Sequence, residues 1–178
     1  MSLKAVYISA GTDLVPVHAF TKTREFIYID RKLPSKKIMQ IKGFECTGEI
    51  ENTYMLFVKG AQAIKYYRCD FPIKMNDSLR QDLLECNAII FNDNNQDSTI
   101  LDYIQSKPML IISMRVSEYN PCYMKSLDRA DTLTEIYMCR EPYEKKEGGK
   151  MVPVYEIHRL NVKIRHRDGD HSSDNNRI

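Results

Sequence analysis

Short, uniformly apolar runs alternate along this chain with stretches of helical spacing. Residues 5–9 (AVYIS) form one such run, ended by Gly11, as expected of a strand covered on both faces. Residues 14–20 are helix-compatible, with Asp13 as the predicted N-cap and Pro16 in the first turn. A second strand over 25–29 (EFIYI) ends on Asp30 and is closed off by Pro34. Two buried runs joined by a short crossover predict a βαβ unit with parallel strands.

Glycines 43, 48 and 60 then punctuate a segment rich in aromatic and β-branched residues. Residues 54–58 and 64–69 read as strands joined by a hairpin through KGAQ; a helix over 52–58 is the competing reading. From Asn76 the spacing turns helical, with Leu79, Leu83 and Leu84 on one side behind an Asn76 or Asp77 cap. NAIIFND reads as a buried strand, QDSTILDYIQS as a helix capped near Asp97 or Ser98, and KPMLIISMRV as another buried strand. TLTEIYMCRE and MVPVYEIHRLNVKI are strand-like and flank a charged loop, EPYEKKEGGK, which predicts a closing antiparallel pair.

The expected architecture is therefore one α/β domain over residues 1–165. It is Rossmann-like: a mainly parallel sheet flanked by helices, with a β-hairpin elaboration between the second and third parallel strands and an antiparallel hairpin at the end. Residues 166–178 (HRDGDHSSDNNRI) lack apolar anchors before the final residue and are expected to be disordered.

Composition narrows the function classes. Lys plus Arg is 26 against 24 for Asp plus Glu, so no global field draws the chain to nucleic acid or a membrane surface. No apolar run approaches the roughly 20 residues that span a bilayer. The segment Met1-Ser2-Leu3-Lys4 runs straight into the first strand, so a secretory leader is not expected. Five scattered cysteines without a C-x-x-C pair suit reduced thiols and a cytoplasmic location. The same scatter, with no histidine at ligand spacing, argues against zinc.

Ligands of open α/β sheets sit beyond the carboxyl ends of the strands, so the residues after each strand carry the chemistry. After the first strand come Ser9, Ala10, Gly11, Thr12 and Asp13, where a glycine permits close backbone approach. Asp30 follows the second, 19 positions past Gly11, near the spacing at which an acid holds ribose hydroxyls. Asp70 and Asp93 close two later strands. The plain alternative is that aspartate favours turns and caps. His158 and His166 flank a basic stretch that reads as a phosphate contact or as a solvated edge strand, and His18 as a surface or satisfied core residue.

This order of elements, with its glycine turn and strand-end acids, resembles the class I S-adenosylmethionine-dependent methyltransferases. The resemblance implies an S-adenosylmethionine site, with Ser9, Gly11 and Asp13 in the cradling turn, Asp30 on the ribose and Asp70 near the adenine. A narrower similarity, through SAGT and LTEIY, is to RNA ribose 2′-O-methyltransferases, the poxvirus-type cap enzyme among them. It implies catalytic roles for Asp93 (or Asn92) and Glu135, and RNA as acceptor; a protein acceptor is the other possibility. The pattern departs from that family where a lysine base is required. Arg115 stands at the fifth-strand position and cannot lose its proton; Lys4 lies too close to the first strand, and Tyr7 replaces a family acid. NDNN after the fourth strand also lacks the motif for amino-group methylation. The expectation is a methyltransferase-like protein with an incomplete catalytic set. The alternative is a non-catalytic protein-binding module on the same fold.

Overall fold

A computed structural model describes residues 3–104 and 108–161. Its elements, in chain order, are β1 (Lys4–Ile8), α1 (Val15–Ala19), β2 (Glu25–Asp30), α2 (Lys36–Ile41), β3 (Glu45–Ile50), β4 (Tyr54–Lys59) and β5 (Gln62–Arg68). Then come α3 (Asp77–Glu85), β6 (Ala88–Phe91), a 3₁₀ helix (Ser98–Tyr103), β7 (Leu110–Ser113) and α4 (Pro121–Arg129). The last are β8 (Glu135–Cys139), β9 (Tyr143–Glu147), β10 (Lys150–Val154) and β11 (Ile157–Arg159).

Nine strands form one mixed sheet in the order β11-β8-β7-β6-β1-β2-β5-β4-β3. From β5 to β8 every neighbouring pair is parallel, while β4, β3 and β11 add antiparallel edges. The central strands are buried along their whole length, as uniformly apolar runs require. One face packs Val6, Ile8, Ile29, Ile89 and Ile111 against α3, the 3₁₀ helix and α4 through Leu79, Leu83, Ile100, Leu101 and Leu127. The other packs Tyr7, Phe26, Tyr28, Tyr66 and Ile90 against Val17 of α1 and Met39 of α2. The chain is thus α/β, with helices on both faces of a mostly parallel sheet.

Several elements differ from the expectation. Residues 36–41 form α2, whose start Ser35 caps by accepting from the Ile38 amide; the short KKIMQI run hid it among strand-like neighbours. Helix α4 also went unread, although Asn120 caps it by accepting from Cys122 and Tyr123. The competing helix over 52–58 is replaced by β4, because its alternating burial pairs it between β3 and β5. The charged loop is instead an antiparallel ribbon, β9–β10, turned by Gly148 and Gly149, both at positive φ. Asp13 is not the N-cap of α1: Leu14 holds that position, and Asp13 accepts from the Val15 amide one residue earlier. The expected tail, 166–178, lies outside the described residues. Among the described residues no helix is long and apolar enough to cross a membrane.

Candidate functional site

Strand order reverses between β1 and β6, and a crevice of about 540 Å³ opens there beyond the strands' carboxyl ends. Such a reversal leaves a gap because the two following connections run to opposite sides of the sheet. One wall is the turn after β1, with Ser9, Ala10 and Gly11. Asp30, Arg31 and Phe71 form the second wall, and residues 94–97 after β6 the third.

The first wall is conformationally demanding. Ser9 has φ 58° and Gly11 φ 56°, so two of three successive residues lie in the left-handed region. For Ser9 that costs about 1–2 kcal/mol, a strain that persists only where the surroundings enforce it. A Cβ on Gly11 would meet no atom within 4 Å, so glycine stands there for its backbone angle and not for lack of room.

Asp30 closes onto this turn. Its Oδ2 accepts from the Gly11 amide at 2.8 Å and its Oδ1 from the Arg31 amide at 2.7 Å. A carboxylate offers about four acceptor positions, so each oxygen keeps one for a ligand hydroxyl. Beside it the Arg31 guanidinium lies 5.5 Å from the centroid of the Phe71 ring. That ring gives the wall a flat apolar surface.

The third wall is stitched from behind by Asn120, whose amide donates to the carbonyls of Asn92 and Asn95 and to Asp93 Oδ1. Asp97 caps the 3₁₀ helix: its Oδ1 accepts from the Thr99 amide and hydroxyl. Its Oδ2 is buried and has no hydrogen-bond partner among the described residues. A buried carboxylate oxygen without a donor costs about 1–3 kcal/mol or more, and here it belongs to a residue of the crevice wall.

The residues expected at a site divide between this crevice and other places. Ser9, Gly11 and Asp30 line it together. Asp13 does not: its carboxylate is engaged by the Tyr7 hydroxyl at 2.6 Å and by the Val15 amide at 3.0 Å. Asp70 is exposed at the rim and pairs loosely with Arg68 at 3.3 Å, while its neighbour Phe71 faces the crevice. Asp93 spends both oxygens on the Ser117 amide, at 3.0 Å each, and so ties the loop after β6 to the loop before α4.

Glu135 is the largest departure. It is the first residue of β8, in register with Leu110 at the start of β7, so it stands at the amino end of the sheet. There it pairs with Arg159 at 3.5 Å. Asp93 follows the carboxyl end of β6, so the fold holds the two expected catalytic acids at opposite rims and does not bring them together. Arg115 is exposed after β7 at φ 55°.

The crevice also holds residues that reading the strand-end acids passed over: Arg31, Phe71 and Asn94 to Asp97. Their signal was position, since each follows a parallel strand by one to six residues. His18 stacks near Tyr155, with centroids 5.6 Å apart; burial first, then Lys59 and Lys42, lower its pKa, so it is a packed neutral ring. His158 pairs with Glu156 at 3.5 Å on the surface. No cluster of metal-ligating side chains occurs among the described residues. Comparison of the chain with family models, with curated proteins and with solved structures finds no match.

Proposed function

We propose that this chain is a methyltransferase-like protein of Rossmann-like fold that binds S-adenosylmethionine in the crevice between β1 and β6. The observation that carries the reading is the Asp30 carboxylate clamped on the Gly11 turn at the strand-order reversal. Counted along the parallel part alone, the strands run third, second, first, fourth, fifth, sixth, which is the doubly wound order.

The residues present suit the adenosine group. Asp30 retains one acceptor position on each oxygen for the two ribose hydroxyls, and Phe71 offers a face for a base. The charge balance favours a cationic tail over a pyrophosphate. Asp30 and Asp97 outnumber Arg31 in the walls, and α1 has only five residues, too short to help an anion. S-adenosylmethionine would supply an electrophilic methyl group there. Transfer through Asp93 and Glu135 acting together is not part of this proposal, because they stand at opposite rims.

Titration calorimetry with S-adenosylmethionine and S-adenosylhomocysteine tests it. Wild type binds, and Asp30→Ala weakens binding by about 1.5–3 kcal/mol, the worth of hydrogen bonds to a charged group. No binding of either compound by the wild type would reject the reading. The exposed β9–β10 ribbon, every residue of β9 exposed, favours a second reading in that case: a protein-binding module that kept the fold.

A further inference from the structure

The turn after β1 is held from beneath to a degree that a connecting loop does not need. All five carbonyls from Ser9 to Asp13 have a donor. Asn92 Nδ2 reaches Ser9 O at 3.0 Å, the Asp13 amide reaches Ala10 O at 3.0 Å, and Lys42 Nζ reaches Thr12 O at 3.0 Å. The remaining two are taken by tyrosines: Tyr66 Oη donates to Gly11 O and Tyr28 Oη to Asp13 O, each at 2.6 Å. A third tyrosine, Tyr7, donates to the Asp13 carboxylate at 2.6 Å.

These three tyrosines form one row. Tyr7 on β1 is in register with Tyr28 on β2, and Tyr28 with Tyr66 on β5. Their rings touch in sequence, with centroids 5.3 Å and 5.6 Å apart, and all three are almost wholly buried. The rings fix the hydroxyls because side chains of the same row on neighbouring strands stand side by side. Burial keeps the phenols protonated, with Asp13 reinforcing this at Tyr7 and Tyr28 and Asp30 at Tyr66, so each hydroxyl remains a donor.

We infer that the Tyr7–Tyr28–Tyr66 row is a positioning device that sets the backbone of residues 9–13 in its ligand-binding shape without touching the ligand. The inference rests on the crevice being the binding site. Its physical content is preorganisation. Loops in solvent satisfy their carbonyls with water and sample many shapes. This one is locked to three strands before a ligand arrives, so binding does not have to order it. The left-handed Ser9 and Gly11 are then held in place by bonds that pull Gly11 O and Asp13 O toward the sheet.

The test compares Tyr66→Phe with Tyr67→Phe. Tyr67 is the next residue on β5, faces the opposite side of the sheet, donates its hydroxyl to Asp82 and accepts from Ser78. Both variants lose one buried hydroxyl and keep the ring. Hydrogen exchange of the peptide covering residues 9–14, read in the free protein, accelerates about ten-fold in Tyr66→Phe and stays unchanged in Tyr67→Phe, while exchange in β6 and β7 is unaffected. S-adenosylhomocysteine affinity falls about five- to ten-fold in Tyr66→Phe only. Tyr28→Phe gives the same pattern and substitutes if Tyr66→Phe does not fold. Equal exchange of the turn in Tyr66→Phe and Tyr67→Phe would overturn the inference. If the wild type binds no S-adenosylhomocysteine, the function reading fails while the exchange result still decides whether the row holds the turn.

Discussion

The two rims of the sheet both carry buried polar groups, and they treat them in opposite ways. At the amino rim Lys4 pairs with Asp82 at 2.9 Å and Glu85 at 2.7 Å, while Lys65 meets the other Asp82 oxygen at 3.0 Å. From there the network runs along α3 to Tyr67 and Ser78, near the carboxyl end of β5, and closes on itself. At the carboxyl rim Asp30 keeps acceptor positions open, Asp97 Oδ2 has no donor among the described residues, and Ser9 is strained. Complete internal pairing ties β1 and β5 to α3 and leaves nothing for a ligand. Incomplete pairing in a crevice costs stability and is what a binding site requires.

The amino rim therefore carries the larger stability effect. Asp82→Ala leaves Lys4 and Lys65 short of a partner in a region where their side chains are 11% and 24% exposed. Breaking a buried pair from one side costs about 3–5 kcal/mol. The low end applies, because Glu85 still holds Lys4. Urea unfolding measures this, and S-adenosylhomocysteine affinity should not change. The acid limb adds a sign. Burial alone would raise the Asp82 pKa, but hydrogen bonds from Tyr67, Lys4 and Lys65 outweigh it and hold it below the ordinary 3.8. A lowered folded value means the stabilisation is complete above about pH 4 and is lost as pH falls through the folded value. Wild type should therefore lose more stability than Asp82→Ala on acidification below about pH 4. Parallel acid limbs would show that the cluster is decoration.

Asp97→Asn probes the open rim and should go the other way. It keeps an acceptor for Thr99 and removes the negative charge whose second oxygen lacks a donor. The free protein gains up to about 1 kcal/mol, a fraction of the cost of an unsatisfied buried group. Ligand affinity falls if the ligand's cationic end is what Asp97 awaits. A destabilised variant would mean that Asp97 is paired through water, and the contrast between the rims would weaken.

The fold that sets up this contrast could be read in the chain beforehand in part, for definite physical reasons, although the amino-rim cluster could not. AVYI, FIYI, AIIF and LII are apolar at every position, which only a strand covered on both faces tolerates, so the parallel core was legible. Ser9, Gly11 and Asp30 were legible too, because position after a strand is a one-dimensional property. Asp93 and Glu135 show the limit. A local match to a motif does not reveal which end of a strand a residue occupies, and register put Glu135 at the start of β8. The tyrosine row was invisible for a related reason: Tyr7, Tyr28 and Tyr66 are aligned by pairing across strands far apart in sequence. Helix α4 is not among the expected elements, although Asn120 and Pro121 are its cap and first turn.

The smallest effect is a labelling rate, and it separates the rims inside one molecule. Cys86 lies at the amino rim between α3 and β6, and Cys122 lies behind the crevice wall, where its thiol contacts the Asp97 carbonyl at 3.3 Å. Both are fully buried in the folded protein, so each reacts only when its surroundings open. Burial raises the Cys86 thiol to about 12 and the Cys122 thiol to about 11, with Asp97 adding to the latter. Opening removes that burial and returns both thiols to the ordinary range of about 8.5, so the labelling rates report how readily each region opens. A wall built of unpaired and loop residues opens more readily than a closed ion network, so Cys122 should label faster than Cys86 near pH 8. Mass spectrometry of the alkylated native protein reads both sites at once. Added S-adenosylhomocysteine should slow Cys122 and leave Cys86 unchanged, because a ligand can protect only the opening that it opposes. Equal protection of both thiols would mean that the ligand acts on global unfolding, and the two rims would then be parts of one cooperative unit.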